Sequence, residues 1–246
     1  MKLLAIDSSA NVASAALMSD GVLIGEISTN YKKTHSQTLM PMIDALLRFV
    51  ETDIRDIDLF AAANGPGSFT GLRIGLATIK GLAHACDKPA VGVSTLAALA
   101  YNVPCCDGLI VPIMDARRDQ VYTAAYVWKG NALQSIIEPC AVSIYTLLDN
   151  VKAQERRTVF LGDGVARFGD EIRAALGGRA SFVAGNACLQ RASSVAAAAL
   201  ALYAEQGAGT YNEIQPIYLR KSQAEREYEE KQKESNRRNE NDSNWK

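Results

Sequence analysis

Short apolar runs alternate with amphipathic stretches along most of the chain, a pattern typical of α/β proteins. Apolar or β-branched runs of four to eight residues predict strands, and apolar positions that recur every three or four residues predict helices. In the first half we predict strands at 3–8, 13–19, 22–29, 59–63 and 90–93, and helices at 34–50, 70–86 and 95–101. Asp20-Gly21 predicts a hairpin turn. Pro41 lacks an N–H and fits best in a first helical turn, so Thr38 is the predicted N-cap of the first helix.

The second half partly repeats this pattern. We predict strands at 109–114, 120–128 and 158–161, a turn at 129–131, helices at 142–151, 167–176 and 193–205, and an extended segment at 216–219. In each half an aspartate, Asp7 or Asp115, ends the first strand, and a later strand enters a Gly-x-Gly turn. We interpret this as a duplicated α/β unit with lobes at 1–103 and 104–220, although chance coincidence of short motifs is the alternative.

The last 26 residues, 221–246, differ from the rest of the chain because seven basic and seven acidic residues leave little apolar content. Such a segment cannot bury enough surface to offset the entropy lost on ordering. We expect a charged tail without fixed structure. The alternative is a helix that docks on a partner.

Charge and composition exclude several classes of function. Lys and Arg total 26 against 27 Asp and Glu, a net charge of -1, which argues against non-specific adhesion to nucleic acid but leaves a local basic patch open. No apolar run approaches the length of a membrane span, and the run before Asp7 is too short for a signal peptide, so we expect a cytoplasmic protein. With five cysteines, no CxxC spacing and two histidines, we expect no metal site. His35 is predicted to be a helix-entry residue rather than a base.

Two loops are candidates for phosphate binding. A carboxylate at Asp7 or Asp115 could position a phosphate or hydrated metal, or could simply cap the turn that follows. The loop after the first strand lacks the glycine that lets backbone N–H groups approach a phosphate. The turn at 64–71 is richer in glycine, but its N–H groups could be satisfied by Ser68 or Thr70. The candidate vestigial phosphate loops therefore comprise Asp7, Ser8, Ser9, Gly65, Gly67 and Asp115.

The predicted helices at 34–50 and 70–86 carry more apolar surface than one sheet face should need. Gly71 and Gly75 are spaced to allow close approach of another helix. We therefore expect a docking surface, with intramolecular packing on the lobe's own sheet as the alternative. Its predicted residues are Leu39, Met42, Ile43, Leu46, Gly71, Leu72, Arg73, Gly75, Leu76 and Ile79.

Several motifs together resemble the TsaB (YeaZ) family over residues 1–224, and the run at 65–75 is the most specific of them. They are Leu3-Leu4-Ala5-Ile6-Asp7, His35-Ser36, Leu39-Met40-Pro41, Gly65-Pro66-Gly67-Ser68-Phe69-Thr70-Gly71-Leu72-Arg73-Ile74-Gly75, Gly92-Val93-Ser94-Thr95-Leu96, Asp115-Ala116-Arg117, and Pro216-Ile217-Tyr218-Leu219-Arg220. The resemblance implies an actin-like ATPase (ASKHA, ribonuclease H-like) fold of two duplicated lobes.

The resemblance also implies a role. In that family the catalyst is a paralogue, TsaD, which transfers threonylcarbamoyl to the tRNA adenosine beside the anticodon, and the ATPase TsaE joins the complex. The two metal-binding histidines of the paralogue correspond here to Thr95 and Leu99, which cannot replace them. We therefore expect a non-catalytic scaffold that pairs with TsaD, or with itself when alone. Nucleotide binding should be weak and at the level of the complex, and tRNA contact indirect or through the complex.

Two alternatives remain at this point. One is an ATP-dependent kinase or phosphatase of the same fold, against which the glycine-free loop after Asp7 counts. The other is a peptidase of the wider glycoprotease-like family, for which no nucleophilic triad or cluster of metal ligands is visible.

Overall fold

Two five-stranded sheets organise the structure, a computed structural model that describes residues 1–31, 33–207 and 209–220. The first sheet has the order β3-β2-β1-β4-β5 and the second β10-β9-β6-β7-β8. The strands are β1 Lys2–Asp7, β2 Ala13–Ser19, β3 Val22–Thr29, β4 Leu59–Gly65, β5 Ala90–Ser94, β6 Leu109–Asp115, β7 Gln120–Lys129, β8 Ala132–Ser143, β9 Thr158–Leu161 and β10 Ala180–Phe182. The predicted tail at 221–246 lies outside the described residues.

Both sheets have the same topology. In each, the first strand pairs antiparallel with the hairpin strand that follows it and parallel with the fourth strand, as β1 does with β2 and β4. Read from β8, the second sheet repeats the strand order of the first. This is a ribonuclease H-like arrangement present twice, so the predicted α/β, actin-like fold class is confirmed.

Six α-helices accompany the sheets among the described residues: α1 His35–Phe49, α2 Phe69–Cys86, α3 Thr95–Ala100, α4 Ile144–Lys152, α5 Val165–Leu176 and α6 Ala192–Gln206. None of these combines the length and the apolar character needed to cross a membrane.

Some predicted boundaries are wrong, for local reasons. The helix α1 starts at His35 with Thr34 as its N-cap, so Pro41 lies inside the helix rather than in its first turn. Pro41 is tolerated because the carbonyl that it leaves unbonded, on exposed Gln37, can be hydrated. The strand β8 was not predicted, because it is an edge strand whose position depends on pairing with β7 along its length.

The helices pack on both faces of the first sheet. One face is covered by α1 and α2, with Ile43 and Ile79 in its core. The other is covered by α6, whose Val195 and Ala199 pack against Leu3 on β1. The expectation that residues 192–206 belong to the second lobe is therefore wrong. The alanine-rich surface of α6 allows close approach to the first sheet, so this lobe is built from two segments of the chain.

The two sheets are joined by an apolar layer around α3. Leu96 and Leu99 of α3 are buried with Ile110 and Met114 of β6. At the rim, the indole N–H of Trp128 donates to the carbonyl of Val103 at 2.9 Å. The space between the lobes is therefore occupied by side chains at this level.

Candidate functional site

The loop after β1 and the glycine turn before α2 are bonded directly to each other. The Ser68 N–H donates to the carbonyl of Ser9 at 2.7 Å, and the Ser8 hydroxyl donates to the carbonyl of Gly71 at 2.9 Å. A Cβ added at Gly67 would lie 2.3 Å from the Ser9 carbonyl oxygen. The two candidate phosphate loops are therefore in direct backbone contact with each other.

Asp7 caps its own turn. Its Oδ1 accepts hydrogen bonds from the N–H and the hydroxyl of Ser9, at 2.8 and 2.6 Å. Burial raises the pKa of this carboxyl to about 6, although the bonds from Ser9 act in the opposite direction. Asp115 makes the same turn in the second lobe, where its Oδ1 accepts from the Arg117 N–H at 2.8 Å. Of the two roles considered for these aspartates, the structure shows the turn cap.

Gly65 makes room for the C-terminal segment. It has a φ of +125°, which disfavours residues with a side chain, and a Cβ there would lie 2.3 Å from the carbonyl oxygen of Ile217. The Ile217 N–H donates to the Asn64 carbonyl at 2.7 Å. The turn thus holds a piece of this chain, and its glycine serves backbone packing.

The predicted docking residues lie inside the lobe. Nine of the ten are buried, and only Arg73 is exposed. A Cβ at Gly71 or Gly75 would lie 2.1 or 2.3 Å from the Ser8 carbonyl oxygen or Oγ, so this glycine stripe packs on the loop after β1. The structure therefore supports the alternative considered for these residues, intramolecular packing, because one helix face cannot contact the sheet and a partner at once.

The opposite sides of α1 and α2 are exposed and form what we call the outer face: Met40, Pro41, Ala77 and Gly81. Met40 is 47% exposed, and no atom lies within 4 Å of a Cβ built at Gly81. Ala77 and Gly81 are exposed one helical turn apart. Small residues at this spacing allow another helix to approach closely. Sequence periodicity missed this surface because the inner face carries the stronger apolar stripe.

An aromatic stack lies at the start of α2. The Phe69 and Tyr218 rings are stacked with centroids 4.5 Å apart. The Arg73 guanidinium lies 3.9 Å from the Phe69 centroid, and its Nε donates to the Tyr218 hydroxyl at 3.1 Å. This stack fixes the C-terminal segment against α2.

The two histidines have structural partners. His35 is the first residue of α1, as predicted, and its Nε2 lies 2.7 Å from the carbonyl oxygen of Ala10. His84 is exposed, and its Nδ1 lies 2.6 Å from the Tyr211 hydroxyl. Within the described part of the chain, no three His, Cys, Asp or Glu side chains are grouped as metal ligands would be.

Thr95 and Leu99 lie one turn apart on α3. They are 0% and 1% exposed, and Leu99 belongs to the apolar layer between the sheets. Leucine offers no donor atom, and a hydroxyl alone is a weak ligand for a transition metal.

Comparisons with known proteins extend over nearly the whole chain. Residues 22–228 match a protein-family model described as TsaD, tRNA N6-adenosine threonylcarbamoyltransferase. The tRNA threonylcarbamoyladenosine biosynthesis protein TsaB of Bacillus subtilis is 36% identical over 95% of this chain and 100% of its own length. The Escherichia coli protein of the same name is 30% identical over 91% of this chain and 96% of its own.

Solved structures give the same picture. YeaZ from Pseudomonas aeruginosa has a TM-score of 0.73 at 26% sequence identity, covering 89% of this chain and 99% of its own. A second Pseudomonas aeruginosa structure, described as an uncharacterized protein with similarity to peptidase YEAZ, has a TM-score of 0.77 at the same identity and coverage.

Proposed function

Because the chain belongs to the TsaB family of tRNA threonylcarbamoyladenosine biosynthesis proteins, we propose that it is a non-catalytic subunit of the complex that makes N6-threonylcarbamoyladenosine in tRNA beside the anticodon. In this proposal it binds and activates the catalytic paralogue TsaD, and the ATPase TsaE joins them. The reaction places the protein in the cytoplasm.

The observation that carries the proposal is that the side chains of Thr95 and Leu99 cannot bind a metal ion as histidines do. The family resemblance aligns them with the metal-binding histidines of the paralogue. Here they hold no strong ligand atom, and both side chains are buried. This supports a chain that keeps the fold of the transferase but depends on a partner for the chemistry.

The outer face is the proposed docking surface for TsaD. It replaces the buried residues that the sequence suggested, several of which lie beneath it and fix the positions of α1 and α2. Exposed apolar groups on packed helices favour association with a similar helix pair, and Ala77 and Gly81 let the backbones approach. The same face would mediate a homodimer of the isolated chain, because leaving it in water is unfavourable.

Nucleotide binding by the isolated chain is proposed to be weak, with a dissociation constant of roughly a millimolar or higher. The direct bonds between the loop after β1 and the glycine turn support this value, since a phosphate would have to break them. Isothermal titration calorimetry with ATP tests it. Tight stoichiometric binding would instead favour an ATP-dependent enzyme of the same fold.

Reconstitution of tRNA modification tests the proposed function. Purified chain, TsaD, TsaE and the adenylate-forming enzyme are combined, and each is omitted in turn. We expect no modified tRNA from this chain alone and strong dependence of the full mixture on its presence. Robust transfer by the chain in the absence of TsaD would overturn the non-catalytic role.

A further inference from the structure

The loop between β6 and β7 has an unusual backbone. Arg117, Arg118 and Asp119 have φ values of +62°, +54° and +56°, three consecutive left-handed residues without a glycine. Residues with a Cβ disfavour this region, and such strain persists only where surrounding contacts impose it. Contacts with the surrounding structure must therefore hold the loop in this left-handed conformation.

A network of polar contacts holds the loop in this conformation. The Arg167 guanidinium donates to Asp115 at 3.0 Å and to Asp119 at 2.6 Å. The carbonyl of Asp119 accepts from the Ile144 N–H at 3.2 Å, and the Gln120 N–H donates to the Arg117 carbonyl at 3.2 Å. Arg167 thus pairs with both acidic residues of the loop, Asp115 and Asp119. The loop therefore offers no other carboxylate to Arg117 and Arg118.

The loop presents two guanidinium groups to solvent. Arg117 and Arg118 are exposed, and within residues 1–31, 33–207 and 209–220 neither side chain forms an ion pair or hydrogen bond. Arg48, Arg55 and Arg173, by contrast, each pair with a carboxylate two to four residues away. Two adjacent guanidiniums without a partner among the described residues form a concentrated positive charge in a chain whose net charge is -1.

The loop is also connected to the start of α2. The Arg220 guanidinium donates to the carbonyl of Ala116, next to the arginine pair. Two residues earlier, Tyr218 stacks on Phe69 at the start of α2. Residues 218–220 span about 7 Å when extended. The arginine pair is therefore linked through Arg220 and Tyr218 to the start of α2, the helix that carries Ala77 and Gly81 of the outer face.

We propose that Arg117 and Arg118 bind the sugar-phosphate backbone of the tRNA within the assembled complex, a proposal that rests on the proposed function above. Guanidinium groups pair with phosphate oxygens through two parallel hydrogen bonds, and backbone contacts of this kind position a nucleic acid without reading its sequence. An acidic protein surface is the less favoured ligand, because the loop offers polar neighbours rather than the apolar centre of a protein interface.

The test compares two arginine pairs. Asparagine tolerates left-handed backbone, so R117N/R118N removes both charges while keeping the loop conformation. The matched control is R156N/R157N, an exposed pair that precedes β9. Because β6 and β9 are parallel, with Leu109 opposite Thr158, the control pair lies at the other end of the same sheet. R117K/R118K keeps the charge without the guanidinium fork.

Two quantities are measured for each variant: assembly with TsaD by size-exclusion chromatography, and tRNA affinity of the assembled complex by fluorescence anisotropy over a range of salt. We expect R117N/R118N to assemble normally and bind tRNA about tenfold more weakly, with the salt dependence reduced by roughly one to two counterions. The control should match the wild type, and the lysine variant should retain most of the salt dependence.

The outcomes separate the two proposals. Normal assembly with unchanged tRNA affinity in R117N/R118N overturns the phosphate-binding loop and leaves the proposed function intact. Loss of assembly in that variant assigns the pair to an acidic protein surface and also overturns it. An equal loss of tRNA affinity in the control attributes the effect to overall charge, with the same consequence. A wild-type chain that fails to bind TsaD removes the proposed function itself.

Discussion

The two faces of α2 should respond in opposite directions to the same substitution. A Cβ at Gly71 would lie 2.1 Å from the backbone carbonyl oxygen of Ser8, which cannot rotate away as a side chain could. Overpacking by one methyl costs about 1–3 kcal/mol, and the helix propensity gained from alanine returns at most ~1 kcal/mol. Because the clash is with a fixed backbone oxygen, its cost should lie in the upper part of that range, and Gly71→Ala should lower the free energy of unfolding by about 1–2 kcal/mol.

Gly81→Ala is the matched control, because nothing lies within 4 Å of the added Cβ. Here only the helix propensity changes, and we expect a gain of about 0.5–1 kcal/mol. For a chain of this size each kcal/mol moves the melting temperature by roughly 2–4 °C. Thermal and urea unfolding followed by circular dichroism would thus show shifts of opposite sign.

Gly81→Glu extends the comparison to docking. The charge would project from the outer face into solvent, so the variant should stay folded and fail to bind TsaD in size-exclusion chromatography. If Gly71→Ala melts at the wild-type temperature and loses TsaD instead, the inner face is the interface and our assignment is wrong. Gly75→Glu does not make this distinction, because it would place a charge beside Ser8 inside the lobe.

Three other variants test the polar and aromatic contacts. The pKa of Asp7 is raised from 3.8 to about 6, so the folded state binds more protons than the unfolded chain between these values. The free energy of unfolding should therefore fall as the pH rises from about 4 to about 6, and Asp7→Asn should weaken that fall in urea titrations. If the pH dependence is the same in Asp7→Asn and the wild type, burial of Asp7 is not its cause. Glu26→Gln weakens two hydrogen bonds that Glu26 accepts at the start of α6, from Arg191 at 2.8 Å and from the Ser193 N–H at 2.9 Å. It should lower the free energy of unfolding by about 1–3 kcal/mol. The control Glu171→Gln changes an exposed side chain and should leave the free energy of unfolding unchanged. Tyr218→Ala removes the stack on Phe69 and should lower the free energy of unfolding by about 1 kcal/mol. It should also speed limited proteolysis of the C-terminal segment. If the variant and the wild type are digested at the same rate, the stack does not fix this segment against α2.

Local pattern determined most of the elements of this protein. The strands β1, β2 and β4 lie within a residue or two of their predicted positions, because a buried strand consists of a continuous run of apolar residues. The repeated strand, aspartate and turn in the two halves predicted the duplicated fold that the sheet order confirms. The family motifs were equally local, since they are contiguous runs of residues.

Periodicity identified the apolar face of α2 but could not decide whether that face packs inside the lobe or against a partner. Gly71, Gly75 and Gly81 are alike as residues, and all lie on one amphipathic helix. Gly71 and Gly75 differ from Gly81 only because they contact Ser8, which is 63 residues away from Gly71 in the chain. A contact at that separation leaves no periodic signal, because it depends on the packing of α2 against the loop after β1.

The position of α6 and the shape of the arginine loop were also decided by the tertiary structure. The sequence of α6 suits any apolar surface, and its anchoring by Glu26 joins residues 167 positions apart in the chain. Arg117 and Arg118 carry no turn signal of their own, and their left-handed backbone is maintained by Arg167 from α5. The sequence alone shows that two positive charges lie in the segment between β6 and β7. The backbone conformation that carries them depends on the fold, because only distant residues can stabilise a conformation that the local chain disfavours.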